Sequence, residues 1–425
     1  MDSDKYSDVP GTFDHHRPTG PPFKHREAFF GFWTAVPPEK LRPSSCVDMR
    51  ITCLVKRWKH HTASGGYDRL ATELGASIVS RGELSGLTWR VGRKIFDNTI
   101  GGKSYLLDYQ FEDWLAEQQA LMRGFIRPPD ALHVLYGDEQ LDLLLRYRSA
   151  LRCPLIATFH LPAGRVGERF EKIQSAELRR LDAAIVLAKS EVSEFQRWLG
   201  KNKVAYIPHG INTARFVPAL RRSRSEKLRI LSVGDHMRDW EVMHRVIDMV
   251  DRNRLEVTFD VVTKPEFFPY FTGCRNVVLH SGIPEEKLIE MYQSSDALFI
   301  PVKYATASNS VLEALACGLP VISTRIGGIP DYVSDECGWL MPPAEVESIV
   351  YLLEQLCAHR EIAYVRQEKA RAQALKFDWR RIAEQVTAVY RAVKYGRPVP
   401  SAATESSQST QACLDHKDIV QRAVY

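Results

Sequence analysis

Short apolar runs alternate along the chain with longer amphipathic stretches. In the first half, runs of four to six mostly apolar residues are followed by segments whose apolar residues recur every three or four positions. The first pattern is typical of buried strands, and the second of helices that cover a sheet with one face. Such alternation predicts parallel strands joined by helical crossovers. The first-half strands are predicted at Arg50–Val55, Leu132–Tyr136, Leu155–Phe159, Ala183–Leu187 and Val204–Ile207, with helices at Asp113–Met122, Glu139–Ala150 and Glu191–Leu199.

The second half restarts the same pattern. Strands are predicted at Arg229–Val233, Phe259–Val262, Val277–His280, Ala297–Val302 and Val321–Thr324, and helices at Trp240–Val250, Glu285–Gln293, Val311–Cys317, Glu345–Cys357, Glu361–Leu375 and Trp379–Val393. Charge and a proline interrupt the pattern between Phe216 and Lys227. We therefore predict an α/β protein with two Rossmann-like domains. An N-terminal domain spans 46–215, a linker 216–227 and a C-terminal domain 228–395.

The two ends of the chain show neither the apolar runs of strands nor the three- to four-residue repeat of helices. Residues 1–45 are rich in proline, histidine and charge, and residues 396–425 include the small polar run Ser401–Gln411. Segments of this composition bury too little apolar surface to offset the entropy lost on ordering. We expect a flexible leader at 1–45 and a flexible tail at 396–425.

Composition narrows the class of protein and its compartment. Apolar residues make up 44% and charged residues 26%, as in ordinary globular proteins, and the N-terminus is polar and acidic without a secretion signal. The eight cysteines contain no CxxC pair, which favours reduced thiols and a cytoplasmic location. A net charge of +5 is too small an excess to indicate nucleic-acid binding. It leaves open a peripheral contact with an anionic membrane surface.

The stretch from Tyr304 to Val333 carries the most specific chemistry. It follows a buried strand and opens a helix, so the polar residues Ser308, Asn309 and Ser310, with Val311, lie where free backbone N–H groups meet the positive end of the helix dipole. That arrangement suits a diphosphate. Glu313 could accept hydrogen bonds from the ribose of the same nucleotide. The alternative is a capping box, because Ser310-x-x-Glu313 also matches a helix-start signature.

The run from Ser308 through Gly318, Pro320 and Gly327-Gly328 resembles the donor-site signature of the retaining GT-B glycosyltransferases of family 4, the glycosyl transferases group 1. Further segments are similar to that family, namely Asp182–Ser190, Val204–Asn212, Leu228–Gly234 and His280–Asp296. The resemblance implies a GT-B fold, in which two Rossmann-like domains with parallel sheets face each other across a cleft. It also implies a nucleotide-sugar donor in the second domain and an acceptor in the first.

Four residues of the first domain are candidates to contact donor or acceptor. Gly65 and Gly66 resemble the family's first glycine loop, although a tight turn would also explain them. His160 follows Leu155–Phe159, at the strand end where open parallel sheets bind their ligands. A histidine bonded to a neighbouring backbone carbonyl is the equal alternative. His209 carries the same uncertainty, because Pro208-His209-Gly210 could be a simple turn.

The chain departs from the family at two positions. The family usually has a sugar-contacting Glu eight positions before the ribose-contacting Glu, and here that position is Ala305. After Gly234 the family usually has cations for the phosphates, whereas this chain has Asp235 and then Arg238. We expect Arg238 to clamp the diphosphate, since a guanidinium can bind it bidentately. A surface ion pair with Asp239 or Glu241 is the alternative.

These residues together predict a hexosyltransferase that requires no metal or other cofactor. Glu313, Arg238 and His160 are the expected catalytic residues, and the only Asp-x-Asp lies near the N-terminus at Asp2 and Asp4. Fixed dipoles and one cation would stabilise the leaving diphosphate, and the resemblance implies retention of anomeric configuration. The acceptor could be a small molecule, a glycan or a lipid-linked sugar. Two alternatives stay open: a catalytically silent nucleotide-sugar-binding or scaffold protein, and a nucleotide-sugar epimerase on the same fold.

Overall fold

The structure is a computed structural model that describes residues 49–56, 66–80, 86–99, 109–169, 175–220 and 225–400. The predicted leader 1–45, most of the tail 396–425, and Gly65 lie outside these residues. Val399, in the described part of the tail, is buried and donates its amide to Asn202 O at 3.0 Å. No helix in the described ranges is both long and apolar enough to span a bilayer.

The first half forms a six-stranded parallel sheet in the order β2-β1-β3-β4-β5-β6. Its strands are β1 (Ile51–Leu54), β2 (Ser77–Val79), β3 (Ala131–Val134), β4 (Leu155–Phe159), β5 (Ala183–Val186) and β6 (Val204–Tyr206). Every residue of β1, β3, β4 and β5 is buried, because helices cover both faces of such a sheet. The strand order reverses between β1 and β3, which is where open α/β sheets bind ligands.

Seven helices of the described ranges connect these strands. They are α1 (Arg69–Glu73), α2 (Gly86–Thr99), α3 (Phe111–Ile126), α4 (Asp142–Arg146), α5 (Ala163–Arg169), α6 (Ser175–Leu178) and α7 (Val192–Leu199). The helix predicted over 139–150 is wrong at both ends. Glu139 and Gln140 precede α4, where their side chains bind the buried Lys56 and Asp113, and residues 148–150 form a separate 3-10 turn.

The second half forms another six-stranded parallel sheet, in the order β12-β11-β10-β7-β8-β9. Its strands are β7 (Leu228–Val233), β8 (Val257–Val262), β9 (Val277–His280), β10 (Ala297–Ile300), β11 (Val321–Thr324) and β12 (Gly338–Met341). Its helices are α8 (Trp240–Arg252), α9 (Glu285–Ser294), α10 (Asn309–Ala316), α11 (Ile329–Tyr332), α12 (Glu347–Ala358), α13 (Glu361–Tyr364) and α14 (Gln367–Leu375). The strand order reverses between β7 and β10. The predicted architecture of two Rossmann-like domains is confirmed.

The last helix, α15 (Trp379–Lys394), returns to the first domain. Its buried face, which includes Trp379 and Tyr390, belongs to the hydrophobic cluster formed by β1, α1 and β3. The outgoing and returning chains cross side by side, since Ile211 N donates to Phe377 O at 2.9 Å and Trp379 N donates to Ile211 O at 3.2 Å. The prediction that this helix packs within the C-terminal domain, 228–395, is therefore wrong.

The predicted linker is also part of a core. Phe216, its first residue, is fully buried in the cluster that α9, α10 and α14 form on one face of the second sheet. Ile211, before the predicted boundary, belongs to the same cluster. The chain therefore enters the second domain before residue 216.

Candidate functional site

Segments that follow the carboxyl ends of strands in the two sheets hydrogen-bond to each other. Tyr332 Oη donates to Leu187 O at 2.7 Å, and the Thr306 hydroxyl donates to His160 O. Leu187 and His160 follow strands of the first sheet, whereas Thr306 and Tyr332 belong to connections that leave carboxyl ends of the second. A ligand held at this junction would therefore contact both domains, as expected where such edges present their ligands.

The start of α10 lies at the junction. The helix begins after Ser308, whose backbone is extended, with φ −141° and ψ 117°. Its first intrahelical bond runs from Leu312 N to Ser308 O at 3.1 Å. The amides of Asn309, Ser310 and Val311 therefore lie ahead of this bond, at the positive end of the helix dipole. The structure brings the four residues predicted to hold a diphosphate into a single helical turn.

Arg238 packs against this helix start and is only 8% exposed. Its Nη2 donates to Ser310 Oγ and to Val233 O, both at 2.7 Å. Burial lowers the pKa of Arg238 to about 10, so the guanidinium remains charged at neutral pH. Its Nε is buried and has no hydrogen-bond partner within the described ranges. A buried cation with an unused donor is suited to binding an anion.

The surface ion pair considered for Arg238 does not form. Asp239 instead caps α8, where its side chain accepts from Val242 N at 3.2 Å. Arg238 lies between β7 and β10, and its backbone pairs with Val302 beyond the end of β10. This is the point where the strand order of the second sheet reverses, so topology as well as charge favours a ligand here.

Glu313 is buried one turn into α10, at 5% exposure. Tyr292 Oη donates to its Oε2 at 2.9 Å. Loss of hydration raises the pKa of Glu313 to about 7, although the Tyr292 hydrogen bond opposes that rise. The alternative of a capping box is wrong, because Ser308 and not Ser310 precedes the helix, and Glu313 bonds Tyr292 instead of the helix end.

In the first domain, His160 lies in a cluster of rings. Its ring stacks on Tyr136 with centroids 4.4 Å apart and meets Tyr67 edge-on at 4.8 Å. Its Nε2 lies 2.8 Å from Leu135 O, which is the backbone contact considered as the alternative role. Asp138 accepts from the His160 amide at 2.7 Å. The histidine is thus fixed in orientation at the end of β4, half-buried beside the second domain.

His209 and Gly66 border the same cluster. The His209 ring lies 5.2 Å from that of Tyr67 and 6.4 Å from that of His160. Its Nδ1 is 2.7 Å from Gly210 O, as in the turn considered from the sequence. Gly66 is buried with φ 115°, a conformation that favours glycine. The structure therefore gathers Gly66, His160 and His209 around Tyr67.

Glu191 and Tyr304, to which the sequence assigned no role, also join the domains here. Glu191, which is 5% exposed, accepts from Ala163 N at 2.6 Å and from the Tyr304 hydroxyl. Tyr304 opens the motif and directly precedes Ala305. Glu191 follows Ser190 of the segment that resembles the family, but no sequence pattern places it opposite Tyr304.

Two family models match the chain. The model described as Glycosyltransferase Family 4 matches residues 64–215, and the model described as Glycosyl transferases group 1 matches residues 273–373. Together they span more than half of the chain. The chain therefore belongs to the GT-B glycosyltransferases of the family 4 type.

Single proteins resemble this chain at low sequence identity or over only part of its length. Sulfoquinovosyl transferase of Arabidopsis thaliana is 31% identical over 189 residues, which covers 40% of this chain and 36% of that protein. The chain therefore matches about a third of that relative's length. The structure of sucrose-phosphate synthase from Thermosynechococcus elongatus superposes with a TM-score of 0.64 at 18% identity, over 82% of this chain and 100% of that one. Anabaena HepE in complex with UDP-glucose superposes with a TM-score of 0.55 at 14% identity, over 80% and 98% respectively.

Proposed function

We propose that this protein transfers a hexose from a nucleoside-diphosphate sugar to an acceptor hydroxyl, with retention and without a metal ion. The observation that carries the proposal is the buried Arg238, whose Nε has no hydrogen-bond partner among the described residues and lies beside the start of α10. Family membership supports the transfer reaction, and a protein of the same fold is described in complex with UDP-glucose. The proposed location is the cytoplasm.

The donor would bind the second domain. Its diphosphate rests on the amides of residues 309–311 and on Arg238, and Glu313 accepts hydrogen bonds from the ribose. For that role Glu313 is ionised, which its pKa of about 7 permits at neutral pH. The positive helix end and the guanidinium stabilise the charge that develops on the departing diphosphate.

The acceptor would enter beside Gly66 and His160. Its hydroxyl oxygen attacks the anomeric carbon on the face from which the diphosphate leaves. The bond from that carbon to the diphosphate oxygen breaks with its electron pair, and the acceptor proton passes to a phosphate oxygen. The direct contacts between the two sheet edges would exclude water and so limit hydrolysis of the donor.

The test is a panel of nucleotide sugars incubated with purified protein, with and without acceptors. Product analysis by NMR gives the anomeric configuration, and addition of a chelator tests metal independence. Glu313→Ala should weaken donor binding by about tenfold or more, since hydrogen bonds to a charged group are lost. Glu290→Ala is the control, because Glu290 is exposed and pairs with Lys287 on the surface. Donor binding without turnover toward any acceptor would indicate a scaffold, and conversion of the donor sugar alone an epimerase.

We also propose that α2 contacts an anionic membrane surface. Val91 and Ile95 are 52% and 48% exposed and lie on one stripe of the helix, which also exposes Arg90 and Lys94. The helix lies in the connection from β2 to α3. It therefore follows the carboxyl end of a strand, as His160 does in the same sheet. Apolar side chains flanked by cations suit an interface with anionic lipid.

Vesicle co-sedimentation tests this contact. The protein should sediment with vesicles that contain phosphatidylglycerol more than with pure phosphatidylcholine vesicles, and Val91→Asp should reduce that binding. The control is Val365→Asp, at an exposed apolar position of the second domain. Equal binding of the two variants would contradict a role for α2.

A further inference from the structure

We infer that Lys264 is a second diphosphate-binding cation of the donor site, held by Asp235 until the donor binds. The inference deepens the proposed function and rests on it. It assigns a phosphate contact to the connection that follows β8, where the sequence offered no candidate.

Lys264 and Asp235 lie at the same edge of the second sheet. Strands β7 and β8 are paired in register, with Val233 opposite Val262. Gly234 N continues the pairing with a hydrogen bond to Val262 O at 2.9 Å. Asp235 and Lys264 follow these residues, and Lys264 Nζ lies 2.6 Å from Asp235 Oδ2. The lysine is thus brought by the fold to the loop that carries Arg238.

The charge of Asp235 is the reason a second cation is needed. The loop from Gly234 to Asp239 holds Arg238 against the start of α10, and the Arg238 amide donates to Asp235 O at 3.4 Å. Burial lowers the pKa of Arg238, and the nearby Asp235 carboxylate opposes that lowering, so the two charges interact. An unpaired carboxylate here would repel a diphosphate. Lys264 neutralises it, and the pairing in turn raises the pKa of Lys264.

Two buried polar atoms at this edge point to an absent polar ligand. Arg238 Nε and Thr263 Oγ1 are both buried without a hydrogen-bond partner in the part of the chain that the structure describes. Thr263 directly precedes Lys264, and its amide continues the sheet by donating to His280 O at 3.0 Å. Buried polar groups in folded proteins are normally satisfied by protein, water or ligand.

Lys264 is free to move toward such a ligand. Its side chain is 53% exposed, whereas that of Asp235 is 24% exposed. A lysine has four rotatable methylene groups and three donors, so its ammonium group can exchange one oxygen partner for another. On donor binding, the ammonium would leave Asp235, or share it, to contact a phosphate oxygen.

The competing explanation is that Lys264 only neutralises Asp235. A double-mutant cycle separates the two explanations. Binding of ADP, GDP and UDP to the wild type is first measured by calorimetry. The diphosphate that binds most tightly, and the nucleoside without its phosphates, are then measured with Lys264→Met, Asp235→Asn and the double variant. We expect Lys264→Met to weaken diphosphate binding by about tenfold and to leave nucleoside binding unchanged. We expect the double variant to remain weaker than Asp235→Asn alone by a similar factor.

The control is Lys227→Met. Lys227 is 59% exposed and pairs with Glu256 at 2.9 Å, so it matches Lys264 in exposure and partner type. It directly precedes β7, at the opposite end of that strand from Asp235. A double variant that binds the diphosphate as well as Asp235→Asn would show that Lys264 serves only Asp235. Unchanged binding by Lys264→Met would also overturn the inference. Failure of the wild type to bind any diphosphate would instead refute the proposed function, and the inference with it.

Discussion

At neutral pH, where Glu313 is proposed to bind the donor, its buried carboxylate should lower the stability of the ligand-free protein. Burial raises its pKa from an ordinary 4.5 to about 7. Below pH 4.5 the carboxyl is protonated in both the folded and the unfolded state. Between pH 4.5 and 7 the unfolded chain releases the proton that the folded state keeps, so stability falls as pH rises. Above pH 7 the whole cost of a buried carboxylate is present.

The size of this effect follows from the two pKa values. Their difference corresponds to about 3 kcal/mol. Glu313→Gln removes the ionisation but keeps an oxygen that can accept from Tyr292 Oη, as Glu313 does at 2.9 Å. The variant should therefore match the wild type near pH 4.5 and exceed its stability by up to about 3 kcal/mol at pH 8. For a domain of this size that gain is a rise of roughly 6 to 12 °C in melting temperature.

The assay is thermal unfolding of both proteins, without nucleotide, from pH 4.5 to 8. Other buried groups such as Glu117 titrate in both proteins and cancel in the difference. The same samples are then measured with a nucleoside diphosphate, which should stabilise the wild type more than the variant. A stability difference that does not depend on pH would refute the burial argument. An unchanged response to the nucleotide would remove Glu313 from the donor site.

Two further predictions concern how the domains are held. Gly210→Ala should lower the free energy of unfolding by about 1–3 kcal/mol or more, because an added Cβ would overlap the Trp379 ring. Gly164→Ala is the control, since its Cβ would have no atom of the described residues within 4 Å. Equal melting temperatures of the two variants would contradict the prediction. Tyr390→Phe should lower the free energy of unfolding in urea by about 1–3 kcal/mol. The reason is that the Tyr390 hydroxyl lies 2.7 Å from Nδ1 of the fully buried His133, and the variant removes it. Unchanged stability would mean that the imidazole finds another partner.

The sequence predicted most strands of both sheets but missed one edge strand of each. Ten of the twelve strands in the described ranges follow from apolar runs, but β2 and β12 were not predicted. β2 is a three-residue edge strand with two exposed positions, so it lacks the pattern of a buried strand. The packing of α15 was missed for a different reason. An amphipathic pattern shows that a helix buries one face, but it does not say which sheet that face covers.

At the candidate site, too, features that depend on neighbouring residues could be predicted, whereas contacts between distant segments could not. Ser308 to Val311 and Glu313 could be predicted because a strand, a helix start and a polar run are adjacent in the chain. Whether the predicted residues bind a donor stays a prediction. The contacts of Lys264 with Asp235 and of Glu191 with Tyr304 could not be predicted, because each joins segments that only the fold brings together.

The return of α15 bears on how the protein is made. A ribosome releases the first domain's strands early, yet the cluster on β1, α1 and β3 lacks Trp379 and Tyr390 until β7 to α14 of the second domain have been synthesised. Until then, Ile51, Leu70 and their neighbours lack the contacts that α15 supplies. The first domain therefore completes its core after the second, and of these two domains it has the greater need of chaperone protection during translation.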